Sequence, residues 1–192
     1  MNFFDSAYKG TPPWDIGRPQ KETIQLAEEG EISGKVLDAG CGTGENALYL
    51  AGLGFEVWGI DAAPSAIKKA KEKAKKRGLT INFLVFDALK LHLLQNKFDT
   101  IIDCGLFHVF SDEERPIYAA SLSSVLYPGG QYFMLCFSEH EPGSYGPRRV
   151  TQAEIRAEFS KGWKINYIRE AEFETMFGAE SVKAWLSSIT CL

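Results

Sequence analysis

Apolar positions along this chain gather in short runs, separated by longer amphipathic stretches. VLDA (36–39), VWGID (57–61), INFLVFD (81–87), DTIIDC (99–104) and QYFMLCF (131–137) are apolar, β-branched or aromatic. Each predicts a buried parallel strand. Residues 44–53 predict a helix stopped by Gly54. Over 64–77, Pro64 lies in the first turn, Ala63, Ile67, Ala70 and Ala74 form a narrow apolar stripe, and Gly78 ends the helix. Ser111 and Glu114 stand in capping-box spacing before a helix over 112–126 that Pro128-Gly129-Gly130 closes. The connection 88–98 holds at most one short helix. This alternation predicts a parallel sheet with right-handed crossovers and helices on both faces. The rhythm then changes. Thr151 and Glu154 repeat the capping spacing before a helix to about Ser160, and KINYIRE (164–170) and SVKAWLSSI (181–189) predict two strands. About ten residues separate them, too few for a helical crossover, so this pair is expected to be antiparallel.

Length and composition narrow the class. The 192 residues suit one domain with a real core. Hydrophobic residues at 45% and charged residues at 24% fit a globular chain. A net charge of −4 leaves no electrostatic footprint for nucleic acid. MNFFDSAYKG has neither the basic nor the apolar region of a signal peptide, and no run approaches the roughly 18 apolar residues of a membrane helix. A cytoplasmic chain with no nucleic-acid or membrane partner is the expectation. Cys41, Cys104, Cys136 and Cys191 are far apart, with neither metal-ligand spacing nor a disulfide framework. They read as small buried hydrophobes, except that Cys41 and Cys104 lie in ligand-facing turns.

The chemistry concentrates in VLDAGCGTGENALYLA (36–51). A strand feeding a helix through a Gly-rich turn lets backbone approach a ligand, with helix N–H groups facing it. The first four strands end in, or within a residue of, Asp38, Asp61, Asp87 and Asp103. Ligands of open parallel sheets bind beyond the carboxyl strand ends, so these four are expected along one edge. Asp61 follows Gly44 by 17 residues, near the spacing at which an acid meets ribose hydroxyls. Asp87 suits an exocyclic adenine amine. Asp38 either braces the loop or faces the cationic end of an amino-acid-like ligand. Glu45 replaces the third glycine of Gly-x-Gly-x-x-Gly, and two acids flanking the turn oppose a pyrophosphate.

DAGCGTG, GID, a strand ending in Asp-Ala, FDTIID and LYPGG together resemble the class I S-adenosylmethionine-dependent methyltransferases over roughly 32–137. The resemblance implies a Rossmann-like α/β doubly wound sheet of seven strands in order 3-2-1-4-5-7-6, strand 7 antiparallel. It implies S-adenosylmethionine as cofactor, held by Asp38, Gly40, Gly42, Asp61, Asp87 and Ala88, with Cys104 as the strand-4 wall. TPPWDIGRP (11–19) is similar to the small-molecule branch containing thiol, thiopurine and halide methyltransferases and tellurite-resistance-type proteins. That likeness places Trp14 over the cofactor, where an indole face attracts a sulfonium; alternatively Trp14 anchors the N-terminal arm in the core. Arg18 either clasps a carboxylate or pairs with a surface acid. FDTIIDCGLFHVFSDEER (98–115) resembles a subgroup acting on small aromatic or quinone-like acceptors, and the Asn- or Asp-Pro-Pro-aromatic clamp for bases and glutamine is absent. KKAKEKAKKR (68–77) reads as the solvated face of one helix.

The domain is expected to comprise an N-terminal arm and helix forming a lid (1–30), a cofactor-binding core (31–137), and an acceptor-side loop with C-terminal strands (138–192). A monomer or weak homo-oligomer acting on a small-molecule acceptor (an aromatic hydroxyl or quinol, a thiol or similar), without a metal, follows. Methyl transfer is then an in-line attack, helped mainly by alignment in a dry pocket. A thiolate or halide needs no base; a phenol benefits from one, and His108 is the best placed histidine, unless it is a structural residue among Phe107, Val109 and Phe110. Phe3, Tyr8, Phe107, Phe110, Phe137 and Tyr145 are candidate acceptor walls. Two competing readings remain: a nicotinamide-dependent oxidoreductase, and a non-catalytic S-adenosylmethionine-binding protein.

Overall fold

Seven apolar strands in this chain share one sheet because each presents hydrophobic side chains to both of its faces. The computed structural model describes residues 3–176 and 181–192. In chain order the strands are β1 (Lys35–Ala39), β2 (Glu56–Asp61), β3 (Asn82–Val85), β4 (Phe98–Cys104), β5 (Leu126–Phe137), β6 (Trp163–Phe173) and β7 (Val182–Cys191). Their spatial order is β3-β2-β1-β4-β5-β7-β6. β1 through β5 pair parallel, and β7 runs antiparallel to both β5 and β6. The predicted order and closing pair are both observed.

Successive residues point to opposite faces, so neighbours serve different cores. Leu37 and Ile101 join Phe107, Tyr118, Tyr132 and Phe159 on one side, while Val36 and Ile102 join Leu48, Val57, Ile67 and Phe133 on the other. The helices are α1 (Phe3–Ala7), α2 (Lys21–Glu28), α3 (Glu45–Gly52), α4 (Pro64–Arg77), α5 (Glu114–Val125) and α6 (Gln152–Glu158). α4 follows its pattern closely: Ala66, Ile67, Ala70 and Ala74 are buried, and Gly78 ends it in the left-handed region. Its N-cap, Ala63, offers no side chain, and Asp5 of α1 supplies the missing acceptor to the Ser65 N–H at 2.9 Å. Thr151 and Glu154 form the expected reciprocal cap of α6. Ser111 and Glu114 exchange the same pair of bonds, although regular helix begins only at Glu114.

Two boundaries differ from the sequence reading. β3 spans four residues rather than seven, and the connection after it is a short 3₁₀ segment, Ala88–Leu94. β5 begins at Leu126, because Leu126 already pairs with Phe98 before Pro128-Gly129-Gly130 interrupts the ladder; pairing resumes at Thr100 and Gln131. A proline lacks the N–H a ladder needs, which places the irregularity there. Among the described residues no helix is long and apolar enough to cross a membrane.

Candidate functional site

The carboxyl ends of β1, β2 and β4 open onto one cavity of about 610 Å³, roofed by the N-terminal arm. Its floor is the glycine turn between β1 and α3. Gly44 takes φ +84, and a Cβ there would sit 2.7 Å from the Phe83 ring, so the turn packs against β3 only as glycine. The turn is also tightly bonded to the protein. Cys41 N–H donates to Ile60 O (2.8 Å), Gly42 N–H to Asp61 Oδ2 (2.9 Å) and Gly44 N–H to Cys41 O (2.9 Å).

The four strand-end acids divide into two pairs. Asp61 and Asp87 line the cavity. Asp61 accepts the Gly42 and Ala63 N–H groups; burial raises its pKa, and those two bonds oppose the rise. Asp87 stands at the half-exposed lip, accepting the Leu89 N–H at 3.0 Å, with Lys90 Nζ 3.4 Å away. Asp38 and Asp103 are not on the lining. Asp38 accepts the Ala47 N–H at 3.1 Å, bracing the start of α3, and burial pushes its pKa up to about 8. Asp103 is fully buried and takes the Tyr118 and Tyr132 hydroxyls at 3.0 and 2.8 Å and the Leu106 N–H at 2.7 Å. Burial pushes it up to about 6. The expectation of four carboxylates on one edge is therefore corrected: Asp38 and Asp103 are held in the core by buried donors, the Ala47 amide and the Tyr118 and Tyr132 hydroxyls, whereas Asp61 and Asp87 accept their backbone amides at the rim.

Glu45 lines the cavity, yet its charge is engaged by Lys73 Nζ (2.8 Å) and Arg77 Nη2 (2.9 Å) from α4. Lys73 also donates to Thr43 Oγ1 (2.7 Å), and Thr43 donates to Asp15 of the arm (2.7 Å). The lysine-rich face is solvated at Lys68, Lys71, Lys75 and Lys76, while Lys73 ties turn, arm and helix together.

Trp14 closes the cavity above this turn. Its Nε1 donates to Tyr8 Oη at 2.9 Å, and its ring meets Phe4 and Tyr8 edge-on at 6.0 and 6.2 Å. Tyr8 reaches the turn itself: a Cβ at Gly42 would lie 2.5 Å from its Oη. Arg18 pairs with an acid, its two Nη atoms each 2.8 Å from a Glu174 oxygen. Gln20 exchanges two bonds with the Glu174 backbone, and Met176 N–H donates to Pro13 O. The arm is thus fastened to α4 on one side and to the segment after β6 on the other. Asp15 and Gln20 were not singled out as site residues in the sequence, because their partners lie from 28 to 154 residues away; Tyr8, expected as an acceptor wall, lines the cavity and accepts the indole N–H of Trp14, six residues on.

The opposite end is aromatic. Phe110, Phe137, Tyr145 and Phe173 line it with His108 and Val109, and Phe3 stands exposed at the mouth. Phe107 does not: it is fully buried against Phe159 and the Arg115 guanidinium. His108 accepts the Phe137 N–H at Nδ1 (3.1 Å), and burial, with Arg115 and Arg149 nearby, holds its pKa down at about 3. Gly40, Ala88 and Cys104 also line the cavity, and the half-buried Cys104, its thiol pKa raised by desolvation, contacts Thr23 Oγ1 at 3.6 Å. The loop carrying Tyr145 is organised by Arg149, which donates to the carbonyls of Glu141, Pro142, Tyr145 and Pro147.

The lining brings together a carboxylate, a glycine turn and an indole in one cavity. Comparison with known proteins identifies the family. Residues 36–130 match the model of a methyltransferase domain. A 2-heptyl-1-hydroxyquinolin-4(1H)-one methyltransferase of Mycobacteroides abscessus is 41% identical over 182 residues, covering 89% of this chain and 80% of that protein. A solved structure reported for the conversion of a disulfide bond into a thioacetal group during echinomycin biosynthesis superposes with a TM-score of 0.90 at 37% identity, covering 98% and 91% of the two chains. An S-adenosylmethionine-dependent methyltransferase of Anabaena variabilis shares the fold, with a TM-score of 0.81 at 18% identity over 98% and 92%. The nicotinamide and non-catalytic alternatives find no support among them. The chain belongs to the S-adenosylmethionine-dependent methyltransferases, within the branch whose named members act on small molecules.

Proposed function

We propose that this enzyme methylates the ring-borne hydroxyl of a small aromatic or heteroaromatic acceptor, with an apolar substituent lying toward the cavity mouth. The observation that carries this reading is that one cavity of about 610 Å³ joins the glycine turn to the wall of Phe110, Phe137, Tyr145 and Phe173. The quinolone methyltransferase relative supports the same acceptor class.

Bound S-adenosylmethionine supplies an electrophilic methyl on a sulfonium, a good leaving group. The chain's own residues then need to hold, align and dry the reactants. Asp61 holds the ribose hydroxyls, since each of its oxygens retains a lone pair beyond the backbone bond it accepts. Asp87 and Ala88 border the adenine. Gly40 and Gly42 admit the methionyl part, Asp38 keeps the turn in place from behind, and Cys104 walls the strand-4 side. Trp14 and the N-terminal arm and helix (1–30) act as the lid, laced by Asp15–Thr43 and Arg18–Glu174. Residues 138–149 and the C-terminal strands shape the acceptor side.

A panel of 1-hydroxyquinolin-4-one, substituted phenols, a quinol, thiols and iodide tests the reading by release of the demethylated product. Preferred turnover of aromatic hydroxyls supports it. Turnover confined to thiols or iodide refutes it.

A further inference from the structure

His108 occupies the acceptor end of the cavity in one defined tautomer. Its Nδ1 accepts the Phe137 N–H at 3.1 Å, which uses the ring's lone pair. A neutral imidazole has one bare and one protonated nitrogen, so the proton resides on Nε2. Nε2 faces the Gly105 side, where a Cβ would lie 3.3 Å from it, and among the described residues it has no hydrogen-bond partner. The ring is wedged edge-on against Phe137 (centroids 4.9 Å apart) and tilted against Phe173 (5.9 Å), both of which line the cavity. A histidine so placed has an N–H to give and no lone pair to receive a proton.

The charged groups behind this end are of both signs: Arg115 pairs through Nη1 with Glu154 at 3.1 Å, and the Tyr145 hydroxyl donates to Glu141. Arg115 lies over the Phe107 ring at 4.6 Å, with Nε and Nη2 buried and without partners, and Arg149 lies over Phe137 at 5.5 Å and Tyr145 at 5.1 Å. The carboxylates on the lining, Asp15, Glu45, Asp61 and Asp87, stand on the arm, glycine turn and strand ends instead. Among the described residues, then, no carboxylate lines the cavity beside His108 to compete for its N–H.

We propose that His108 donates its Nε2–H to an acceptor oxygen that arrives already ionised, so that it positions an aromatic oxyanion and does not act as a general base. This rests on the aromatic-hydroxyl reading above. In the transfer itself, an oxyanion lone pair forms the new oxygen–carbon bond as the methyl carbon–sulfur bond breaks and its electron pair returns to sulfur. No proton has to leave, and no base is required. Acceptors are then selected for acidity: hydroxyls that ionise near neutral pH, such as those on nitrogen or on electron-poor rings.

The test uses the whole chain loaded with S-adenosylhomocysteine, and 4-nitrophenol, whose phenolate is coloured. Binding should shift bound 4-nitrophenol toward its phenolate, read as a gain in visible absorbance at a pH where the free phenol is mixed. His108→Phe should weaken that binding roughly 10- to 100-fold, as expected for losing a hydrogen bond to a charged group. His108→Gln, which keeps an N–H donor, should recover part of it. Nitrogen NMR of the histidine-labelled chain should show Nε2 protonated and Nδ1 bare from pH 5.5 to 9. In turnover, the pH limb should move with the acidity of each phenol and survive in His108→Phe. A limb that stays at one pH for all phenols and vanishes in His108→Phe, an Nδ1-protonated ring, or 4-nitrophenol bound as the neutral phenol would overturn the role of His108. If instead no phenol or hydroxyquinolone binds or turns over while thiols do, the acceptor class itself fails, and this proposal falls with it.

Discussion

Gly42 is where the arm and the cofactor turn touch, so replacing it should expose how strongly the two are coupled. The residue takes φ +54, and alanine in the left-handed region costs roughly 1–2 kcal/mol. Its new Cβ would also lie 2.5 Å from Tyr8 Oη, with Cζ next at 3.3 Å and Cε1 at 3.7 Å. Oxygen and carbon cannot approach that closely, so the Tyr8 ring must withdraw and its bond from Trp14 Nε1 breaks. That loss adds about 1 kcal/mol. Gly42→Ala is therefore expected to cost roughly 2–3 kcal/mol of unfolding free energy. Tyr8→Phe alone should cost about 1 kcal/mol, since it removes only the same hydrogen bond. In the double variant the offending oxygen is gone and the bond is lost once, so the total should stay near 2–3 kcal/mol, about 1 below the sum. Urea unfolding of the four chains, with slopes compared to verify two-state behaviour, reads the cycle. Strict additivity within about 0.5 kcal/mol would refute the contact between Tyr8 and the turn.

The buried acids set a pH dependence of stability. Asp38 at about 8 and Asp103 at about 6 both lie above the unfolded value of roughly 3.9. The folded chain then binds more protons than the unfolded chain, so unfolding free energy should fall as pH rises from about 4 to 8. Asp38→Asn should flatten the upper part of that fall in urea midpoints, and an unchanged slope would count against the buried position. Asp61→Ala should weaken S-adenosylmethionine binding by roughly 10- to 100-fold in calorimetry, through lost bonds to a charged acceptor; equal affinity would remove the ribose assignment. Arg149→Met frees four loop carbonyls. Acceptor KM should rise roughly tenfold through lost positioning, with cofactor affinity unchanged; a loss of cofactor binding instead would contradict the division of the cavity.

Sheet order, the antiparallel closing pair and α4 were legible because each rests on local signals: period, caps, and a connection length. The lining was legible where backbone fixes direction, as at the glycine turn, Asp61, Asp87 and Ala88. It was not legible where a side chain chooses between partners. Asp103 resembled its neighbours in sequence, yet Tyr118 and Tyr132, 15 and 29 residues on, draw it into the core. Phe107 and Phe110 are three residues apart, yet only Phe110 reaches the cavity. His108 was placed correctly at the strand-4 turn, but its tautomer depends on a backbone amide of β5, 29 residues away.

The acids around the glycine turn deserve a different argument from the one their positions first suggest. Asp38 and Glu45 flank the turn, and their charges were the apparent reason a pyrophosphate would be refused. In the folded chain both are committed elsewhere, to the Ala47 amide and to Lys73 and Arg77. What counts against a phosphate is instead the turn's own bonding, which uses part of its amide set. A dinucleotide site needs free N–H groups at such a turn. Here the Cys41, Gly42, Gly44 and Ala47 amides already donate to Ile60, Asp61, Cys41 and Asp38. Asp61 thus acts twice: it occupies the amide a phosphate would use, and it presents its remaining lone pairs to the cavity. An acid at the end of β2 serves ribose hydroxyls in dinucleotide sites too, so the distinguishing feature is its bond to the Gly42 amide, which withdraws that amide from a phosphate.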